Sequence, residues 1–282
     1  MLFRSVLVAD LASATDWQPA LRECDVVVHC AARVHMLADR ASDPLAAFRT
    51  ANVDGSVRLA TQASLAGVRR FVFISSIKVN GDTTTLGAPF TERSQPAPTD
   101  PYGISKSEAE IRLRELADDG AFELVIIRPP LVYGPGVKAN FLAMSRWLAR
   151  GIPLPLGSVT TNRRSLVALD NLNDLIITCL QNPAARDGMF FASDGHDLST
   201  AELLRRTASA LGTKARLLPI PPTLLRAGAA MLGRRAIWQR LGGTLQCSIE
   251  HAREALGWSP PISVDEGLRR AVAGVVAERR AR

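Results

Sequence analysis

The sequence lacks a long apolar segment, and this absence excludes one class of protein. No run among its 282 residues approaches the roughly 18 consecutive apolar residues of a membrane-spanning helix. The opening residues reach an acid at Asp10, before a signal-peptide core of about 7–15 apolar residues could form. We therefore expect a cytoplasmic protein without a membrane span.

Metal and disulfide chemistry also lack support. Neither Cys-x-x-Cys nor a histidine pair at metal-ligand spacing occurs, so the sequence predicts no metal site. The four cysteines are interpreted as reduced and mostly buried. They are Cys24, Cys30, Cys179 and Cys247. Among the four histidines, His29 ends an apolar run and is interpreted as a satisfied core residue.

Lysine is scarce, because the chain has 4 lysines and 30 arginines, with a net charge of +7. The charges are spread along most of the chain, whereas a nucleic-acid-binding face would cluster them, so no nucleic-acid partner is expected. We interpret the local exceptions as solvated helix faces or a tail, with weak attraction to acidic partners or membrane surfaces as the alternative. The exceptions are Arg226, Arg234, Arg235, Arg240 and the segment 279–282.

Short β-rich runs alternate with longer helical patterns in the first half of the chain. Such alternation predicts an α/β fold of the Rossmann type, a doubly wound parallel sheet with helices on both faces. We assign 1–130 to this dinucleotide-binding part and 131–282 mainly to a smaller mixed α/β substrate-binding part, with a segment near 165–192 returning to the sheet. The predicted strands are 6–9, 25–30, 71–75, 124–128, 166–169 and 189–192, and the main helices are 46–66 and 102–116.

The most informative feature that is present is the pair Tyr102 and Lys106. Pro101 suits the first turn of a helix, so the phenol and the ammonium lie four residues apart on one helical face. We expect the ammonium to lower the phenol pKa from its usual value of about 10. Such a phenol can carry the proton of an alcohol being oxidised. The hydroxyl pair Ser75-Ser76 ends an apolar run upstream.

Six segments in order resemble the extended short-chain dehydrogenase/reductase family, in its NAD-dependent nucleotide-sugar epimerase/dehydratase branch. The resemblance implies a Rossmann fold that binds NAD, with NADP not excluded. It covers most of the chain. The segments are 27–32 (VVHCAA), 52–56 (NVDGS), 71–76 (FVFISS), 102–106 (YGISK), 128–136 (RPPLVYGPG) and 255–260 (ALGWSP).

Catalytic and cofactor-binding roles follow from the resemblance. It implies that Tyr102 is the catalytic acid/base, that Lys106 binds the nicotinamide ribose and lowers the tyrosine pKa, and that Ser76 bonds Tyr102 and the substrate. Asp10 is expected at the adenine, and Asn52 bridges helix and strand in a role that can be purely structural. The implied cofactor contacts, besides Tyr102 and Lys106, are Asp10, Leu11, Ala31, Ala32, Asn52, Ser75, Pro129 and Val132.

The resemblance also implies a nucleotide-sugar substrate, UDP-linked by preference, and a homodimer. Lys138 and Asn140 follow the Gly-Pro-Gly turn, where family members hold the nucleotide diphosphate. Arg164 matches a family arginine that clamps the diphosphate, and a guanidinium suits that fork geometry, with Arg163 as the alternative. The helices expected at the dimer interface are 46–66 and 102–116.

One departure from the family concerns the start of the sequence. Family members begin with a strand and a Gly-x-x-Gly-x-x-Gly turn whose amides receive the pyrophosphate. No such turn precedes Asp10, because 6–9 matches the third strand of the family. We therefore expect an N-terminally shortened chain, through a misplaced start, with a gap of about 10 Å in the sheet. The alternative is that 6–9 pairs directly with 26–30.

The residues after Ser76 narrow the chemistry. Sugar dehydratases carry acidic residues at this place, whereas Ile77 and Lys78 follow here, which argues against elimination. We predict a nucleotide-sugar epimerase of the UDP-hexose 4-epimerase type, which oxidises a sugar hydroxyl carbon transiently. The alternatives are a 4-ketoreductase for surface-polysaccharide sugars and, because the glycine-rich turn is missing, a non-catalytic binding module. A steroid- or flavonoid-type reductase is disfavoured by Arg164.

Overall fold

The protein is a mixed α/β structure with two parallel sheets. The structure, a computed structural model, describes residues 5–8, 10–11, 14–34, 43–137 and 139–280. Its strands are β1 (Val26–His29), β2 (Arg70–Ile74), β3 (Glu123–Arg128), β4 (Leu131–Tyr133), β5 (Leu166–Ala168) and β6 (Met189–Phe191). Its helices are α1 (Gln18–Leu21), α2 (Pro44–Arg49), α3 (Gly55–Leu65), α4 (Pro101–Asp118), α5 (Ala139–Ala149), α6 (Leu169–Gln181), α7 (Thr200–Ala210), α8 (Pro222–Met231), α9 (Arg235–Gly242), α10 (Glu250–Leu256) and α11 (Val264–Arg280).

The main sheet has the strand order β1-β2-β3-β6, and every neighbouring pair is parallel. Val28 of β1 lies opposite Val72 of β2, and Phe73 of β2 lies opposite Ile126 of β3. The last strand, β6, returns to the sheet beside β3, whereas β4 and β5 form a separate two-stranded parallel sheet. The carboxyl ends of β1, β2 and β3 therefore meet at one edge, where ligands of such sheets bind.

Alternate residues of the central strand face two apolar layers. Phe71 and Phe73 pack with residues of α3 and α4, and Val72 packs on the opposite side with residues of α6 and α10. A third cluster surrounds the small sheet between α5, α7 and α11. Helices thus cover both faces of the main sheet, and the predicted doubly wound α/β fold is confirmed. The division of the chain at residue 130 stays a prediction.

The strand predicted at 6–9 is wrong for its described residues. Residues 5–8 form no strand, and Ala9 lies outside the described residues. Leu7 is 99% exposed and Val6 is 38% exposed, so this segment buries no apolar face that would hold a strand in place. The alternative pairing with 26–30 is also wrong there, because β1 pairs with β2 alone among the described strands.

Neither a membrane-spanning helix nor a metal site is found among the described residues. No helix in this part of the chain combines the length and the hydropathy that a bilayer crossing requires. Nor do three or more His, Cys, Asp or Glu side chains gather there at a place that could hold a metal ion.

Candidate active site

The position of Tyr102 is set by the start of α4. Asp100 caps the helix, and its carboxylate accepts a hydrogen bond from Gly103 N at 2.7 Å. Pro101 occupies the first helical position, where its missing N–H costs nothing. Tyr102 therefore lies in the first turn of α4.

A glycine brings this helix close to the end of the central strand. A Cβ added to Gly103 would lie 2.7 Å from the carbonyl oxygen of Lys78, so a larger residue would push α4 away. Ser76, which follows β2, forms a hydrogen bond with the phenol of Tyr102. Its hydroxyl also accepts from Lys78 N at 3.2 Å. The structure thus brings together the two hydroxyls that the sequence assigns to the reaction.

Lys106 lies one helical turn after Tyr102 in α4 and is 2% exposed. Its Nζ donates to Ile74 O at 2.7 Å and lies 4.1 Å from the centroid of the Phe73 ring. Burial lowers the pKa of Lys106 to about 7, although Glu110 and Cys30 partly oppose the shift. An ammonium has three donors, and among the described residues Ile74 is the single hydrogen-bond acceptor. The remaining donors fit the neighbouring hydroxyls of a ribose.

The expectation that Lys106 lowers the pKa of Tyr102 is wrong for this structure. Burial raises the pKa of Tyr102, the hydrogen bond from Ser76 opposes the rise, and the Asp100 carboxylate adds to it. The physical reason is burial, which disfavours the charged phenolate, and Lys106 is not among the groups that shift this pKa. In the free chain the phenol is therefore protonated at neutral pH.

This arrangement predicts that Asp100→Asn lowers the pKa of Tyr102. Asparagine caps helices as well as aspartate does, so the change removes a negative charge and keeps the helix. The chain has only two tyrosines. Burial and then Asp194 raise the pKa of Tyr133 far above its usual range, so Tyr102 is the first of the two tyrosines to titrate as pH rises. Tyrosinate absorbance against pH, with circular dichroism to monitor folding, measures the midpoint.

Asp82→Asn is the matched control for that titration. Asp82 forms an ion pair with Lys78, as Asp100 does, but it does not shift the pKa of Tyr102. We expect the Tyr102 midpoint to fall in Asp100→Asn and to stay unchanged in Asp82→Asn. An equal shift in both variants would contradict the assignment.

Asn52 connects the end of β1 to the helix that carries Tyr102. It lies in a π-helical turn, Thr50–Asp54, between α2 and α3. Its Oδ1 accepts from Arg33 N at 2.7 Å, and its Nδ2 donates to Arg33 O at 3.0 Å and to Ser105 Oγ at 2.9 Å. Ser105 Oγ in turn donates to Tyr102 O at 2.8 Å. Asn52 thus holds two parts of the site together, and its predicted contact with the cofactor stays a prediction.

A buried polar network lies behind the site. Ser75 Oγ donates to Glu110 Oε1 at 2.5 Å, and Arg128 donates to the same carboxylate through Nε at 2.9 Å and through Nη2. Arg128 Nη1 also donates to Asn80 Oδ1 at 2.9 Å. All four side chains are buried. The network fixes the ends of β2 and β3 against α4, and the predicted cofactor contact of Ser75 stays a prediction.

The remaining predicted cofactor residues lie at the carboxyl edge of the sheet or near it. Ala31 and Ala32 follow β1 and are exposed and half-buried, respectively. Cys30 beside them is the exposed one of the four cysteines, whereas Cys179 and Cys247 are buried as expected and Cys24 is half-buried. The carbonyl oxygen of Pro129 accepts from Ile77 N at 3.0 Å, and Val132 is half-buried in β4. Their contacts with a cofactor stay predictions.

Two further cofactor predictions fall in the N-terminal segment. Asp10 is exposed and accepts from Thr15 Oγ1 at 3.0 Å. The carbonyl oxygen of Leu11 lies against α3, because a Cβ added to Gly55 would be 2.0 Å from it. Only glycine at position 55 permits this approach. Cofactor binding by Asp10 and Leu11 stays a prediction.

The side chains of Arg164 and Arg163 have different hydrogen-bond partners. Arg164 is half-buried, its Nη1 donates to Gly243 O at 3.3 Å, and burial lowers its pKa while Asp82 opposes the shift. Arg163 Nη1 is held by its own loop, where it donates to the carbonyl oxygens of residues 160 and 162 at 2.9 Å each. Arg164 is therefore the better diphosphate candidate. Lys138 and the side chain of Asn140 lie outside the described residues.

A group of charged residues beside Tyr102 was not predicted from the sequence. Lys78 Nζ pairs with Asp100 Oδ2 at 3.1 Å and with Asp82, whose Oδ2 accepts from Thr99 Oγ1 at 2.6 Å. A signal existed for Asp100, because an aspartate directly before a helix-starting proline is a cap. For Asp82 the spacing of four residues from Lys78 was a weak signal, whereas its contact with Thr99, 17 residues away, had none.

His29 is a core residue, as the sequence suggested. It is 3% exposed, and its Nε2 lies 2.9 Å from Ser56 Oγ. Burial and the charge of Lys106 lower the pKa of His29 to about 3. The ring is therefore neutral at physiological pH and is no proton carrier there.

Comparison with known proteins adds two sequence relatives. A protein of Vibrio cholerae named UDP-glucose 4-epimerase is 50% identical over 262 residues, which cover 93% of this chain and 80% of that protein. A UDP-glucose 4-epimerase of Mycolicibacterium smegmatis is 30% identical, over 88% of this chain and 75% of that protein.

Solved structures share the fold at lower sequence identity. UDP-glucuronic acid 4-epimerase from Bacillus cereus, in complex with NAD, has a TM-score of 0.75 and 18% identity, over 97% of this chain and 79% of that one. UDP-glucose 4-epimerase of Thermotoga maritima, with UDP-glucose, has a TM-score of 0.71 and 22% identity, over 93% and 80%. Such identities show the common fold.

The family assignment follows from these matches. The sequence model of the NAD dependent epimerase/dehydratase family matches residues 4–190, which hold every segment of the site around Tyr102. The predicted resemblance is confirmed, and this chain belongs to the NAD-dependent epimerase/dehydratase family.

Proposed function

We propose that this protein is an NAD(P)-dependent nucleotide-sugar epimerase that interconverts UDP-hexoses at the 4-position. The observation that carries the proposal is the hydrogen bond between Tyr102 and Ser76, with the buried Lys106 one helical turn after Tyr102. The identity of 50% to a UDP-glucose 4-epimerase supports the choice of substrate class.

The residues divide the work as follows. Tyr102 accepts the proton of the sugar hydroxyl whose carbon is oxidised once its own phenol has lost its proton, and it returns the proton when the ketone is reduced. The positive charge of bound oxidised nicotinamide would favour that phenolate. Ser76 orients the phenol and bonds the same sugar oxygen. Lys106 binds the ribose hydroxyls of the cofactor with the donors that Ile74 leaves available. NAD, or NADP as the alternative, supplies the hydride acceptor and donor when it is bound.

The assay is incubation of the purified protein with UDP-glucose or UDP-galactose and a catalytic amount of NAD. We expect the 4-epimer to form without net production of NADH. Net consumption of NAD(P)H with a 4-keto nucleotide sugar would instead identify the 4-ketoreductase. Binding of NAD or UDP-hexose in calorimetry, without turnover, would identify a binding module.

Arg164→Ala is predicted to raise the KM for the UDP-sugar about 10- to 100-fold and to leave kcat nearly unchanged. The reason is the loss of charge-assisted hydrogen bonds to the diphosphate, each worth about 1.5–3 kcal/mol. Arg163→Ala is the matched control, because its guanidinium bonds its own loop. Equal effects on KM in the two variants would contradict the assignment.

Assembly and location follow as further parts of the proposal. We place a homodimer interface on the faces of 46–66 and 102–116, where Leu65 is 80% exposed and Ile111 is 54% exposed. Ile111→Glu, followed by light scattering, tests the dimer. The nucleotide substrate and cofactor support a cytoplasmic location.

A further inference from the structure

The net positive charge of the chain comes from one segment, and the proposed function assigns no role to the basic residues of that segment. The 47 residues from 203 to 249 contain eight basic residues and no Asp or Glu. The rest of the chain, with 26 basic and 27 acidic residues, has a net charge of −1. The eight basic residues are Arg205, Arg206, Lys214, Arg216, Arg226, Arg234, Arg235 and Arg240.

Two helices in this segment have an exposed apolar face. Neither α8 nor α9 contains a buried residue, and the two helices pack against each other. Leu224 and Met231 are 63% and 88% exposed, and their spacing of seven residues places them on one face of α8. Leu232 follows at 74%. We call residues 222–242 the basic hairpin.

The second helix of the basic hairpin continues this pattern. Ile237 and Leu241 of α9 are 48% and 37% exposed and lie four residues apart, on one helical face. Single exposed apolar residues occur on any protein surface, but here large aliphatic side chains are exposed on both neighbouring helices. A partner with an apolar interior is needed to cover them.

Arginines of the basic hairpin lie on the same two helices as these apolar residues and in the turn between the helices. Arg226, Arg234 and Arg235 are exposed, and within the described part of the chain none of them forms an ion pair. Arg206, by contrast, is paired with Glu202 and Asp265. The charges of the hairpin are therefore available to an external anionic surface.

We propose that the basic hairpin docks on an anionic lipid bilayer. Leu224 and Met231 lie on one face of α8, and Arg226, two residues after Leu224, lies on the other face. An apolar face opposite an arginine is typical of helices that lie in the membrane interface. An acid-free segment is attracted as a whole by the negative surface potential of such a bilayer. A second copy of the chain would oppose these charges with its own, and a nucleic-acid backbone offers nothing to exposed Leu224 and Met231.

Docking would keep the candidate substrate site close to the lipid surface. The hairpin ends at Gly242, and the next residue, Gly243, accepts the hydrogen bond from Arg164. Burial opposes the shift, but hydrogen bonds from Lys78 and Thr99, followed by the charges of Lys78 and of Arg240 in the hairpin, lower the pKa of Asp82. The enzyme would thus release its product beside the membrane.

The test is sedimentation of the full chain with vesicles of phosphatidylglycerol and phosphatidylcholine, compared with phosphatidylcholine alone. We expect binding to the anionic vesicles that weakens steeply as salt is raised. The variant Arg226→Glu/Arg234→Glu/Arg235→Glu should bind on the order of a hundredfold more weakly. Leu224→Ser/Met231→Ser should also bind more weakly, but with less effect on the salt dependence.

The matched control is Ile177→Ser/Arg93→Glu, which makes the same kinds of change on side chains that are 52% and 90% exposed outside the hairpin. Vesicle binding should persist in the control, and circular dichroism should be unchanged in all variants. The proposal is overturned if anionic vesicles are not bound, or if the control loses as much binding as the hairpin variants. It is also overturned if the hairpin variants change the oligomeric mass or DNA binding and not vesicle binding.

Discussion

Tyr102→Phe is expected to abolish nearly all epimerase activity, with kcat lower by about 10²–10⁴-fold. The change removes one oxygen, the only atom on α4 that both contacts Ser76 and can exchange a proton with the sugar. Because Tyr102 is only partly buried and its ring still contacts Phe48, the fold should be retained. The measurement is turnover of UDP-hexose with circular dichroism as the folding check.

The second tyrosine provides the control for this experiment. Tyr133 Oη donates to Asp194 Oδ2 at 2.7 Å, in the core around the small sheet. Tyr133→Phe should therefore cost stability and leave kcat within a few-fold of the parent. If Tyr102→Phe keeps its turnover, the assignment of the acid/base is wrong. A protein whose cellular role survives Tyr102→Phe would be a binding module.

Glu110→Gln is expected to lower the free energy of unfolding by about 3–5 kcal/mol, because breaking a buried ion pair leaves an unpaired charge. Glu110 is 3% exposed and Arg128 is 4% exposed. The amide keeps the shape of the carboxylate but leaves the guanidinium of Arg128 without a counter-ion, and it disturbs the bond from Ser75. Urea unfolding followed by circular dichroism measures the difference.

A neighbouring ion pair on the same helix is the matched control. Glu108 accepts two hydrogen bonds from Arg49, at 2.8 and 2.6 Å, but the two side chains are 32% and 47% exposed. Solvated pairs contribute about 0–1 kcal/mol, so Glu108→Gln should change little. The difference in the free energy of unfolding between the variants at positions 108 and 110 thus separates the effect of burial from the effect of charge. Equal losses in both variants would show that burial does not decide the cost.

The parts of the fold that the sequence predicted are those with local patterns. The apolar runs that became β2 and β3 are recognisable because strands buried on both faces are almost continuously apolar. β1 has the same apolar composition, although Val28 is 36% exposed. The start of α4 was predictable from Pro101, and the pairing of Ser76 with Tyr102 came from the family resemblance.

What the sequence could not predict depends on long-range contacts. The direction of the Tyr102 pKa shift is set by burial, which spacing along a helix does not report. The partnership of Glu110 with Arg128 and Asn80 joins α4, β3 and the turn after β2. Glu110 lies four residues after Lys106, and that spacing was a usable signal that the two side chains share one helical face.

The π-helical turn at Thr50–Asp54 sets a limit on how this chain can vary in length. Such a turn is an α-helix with one inserted residue, and deleting that residue would restore regular winding. Each residue of an α-helix turns the next by about 100°, so a deletion at Ala51 would rotate everything before it relative to α3. Asn52 would then lose its hydrogen bonds either to Arg33, in the loop after β1, or to Ser105 in α4. Natural variants of this protein should therefore tolerate substitutions in this turn far more often than single-residue deletions.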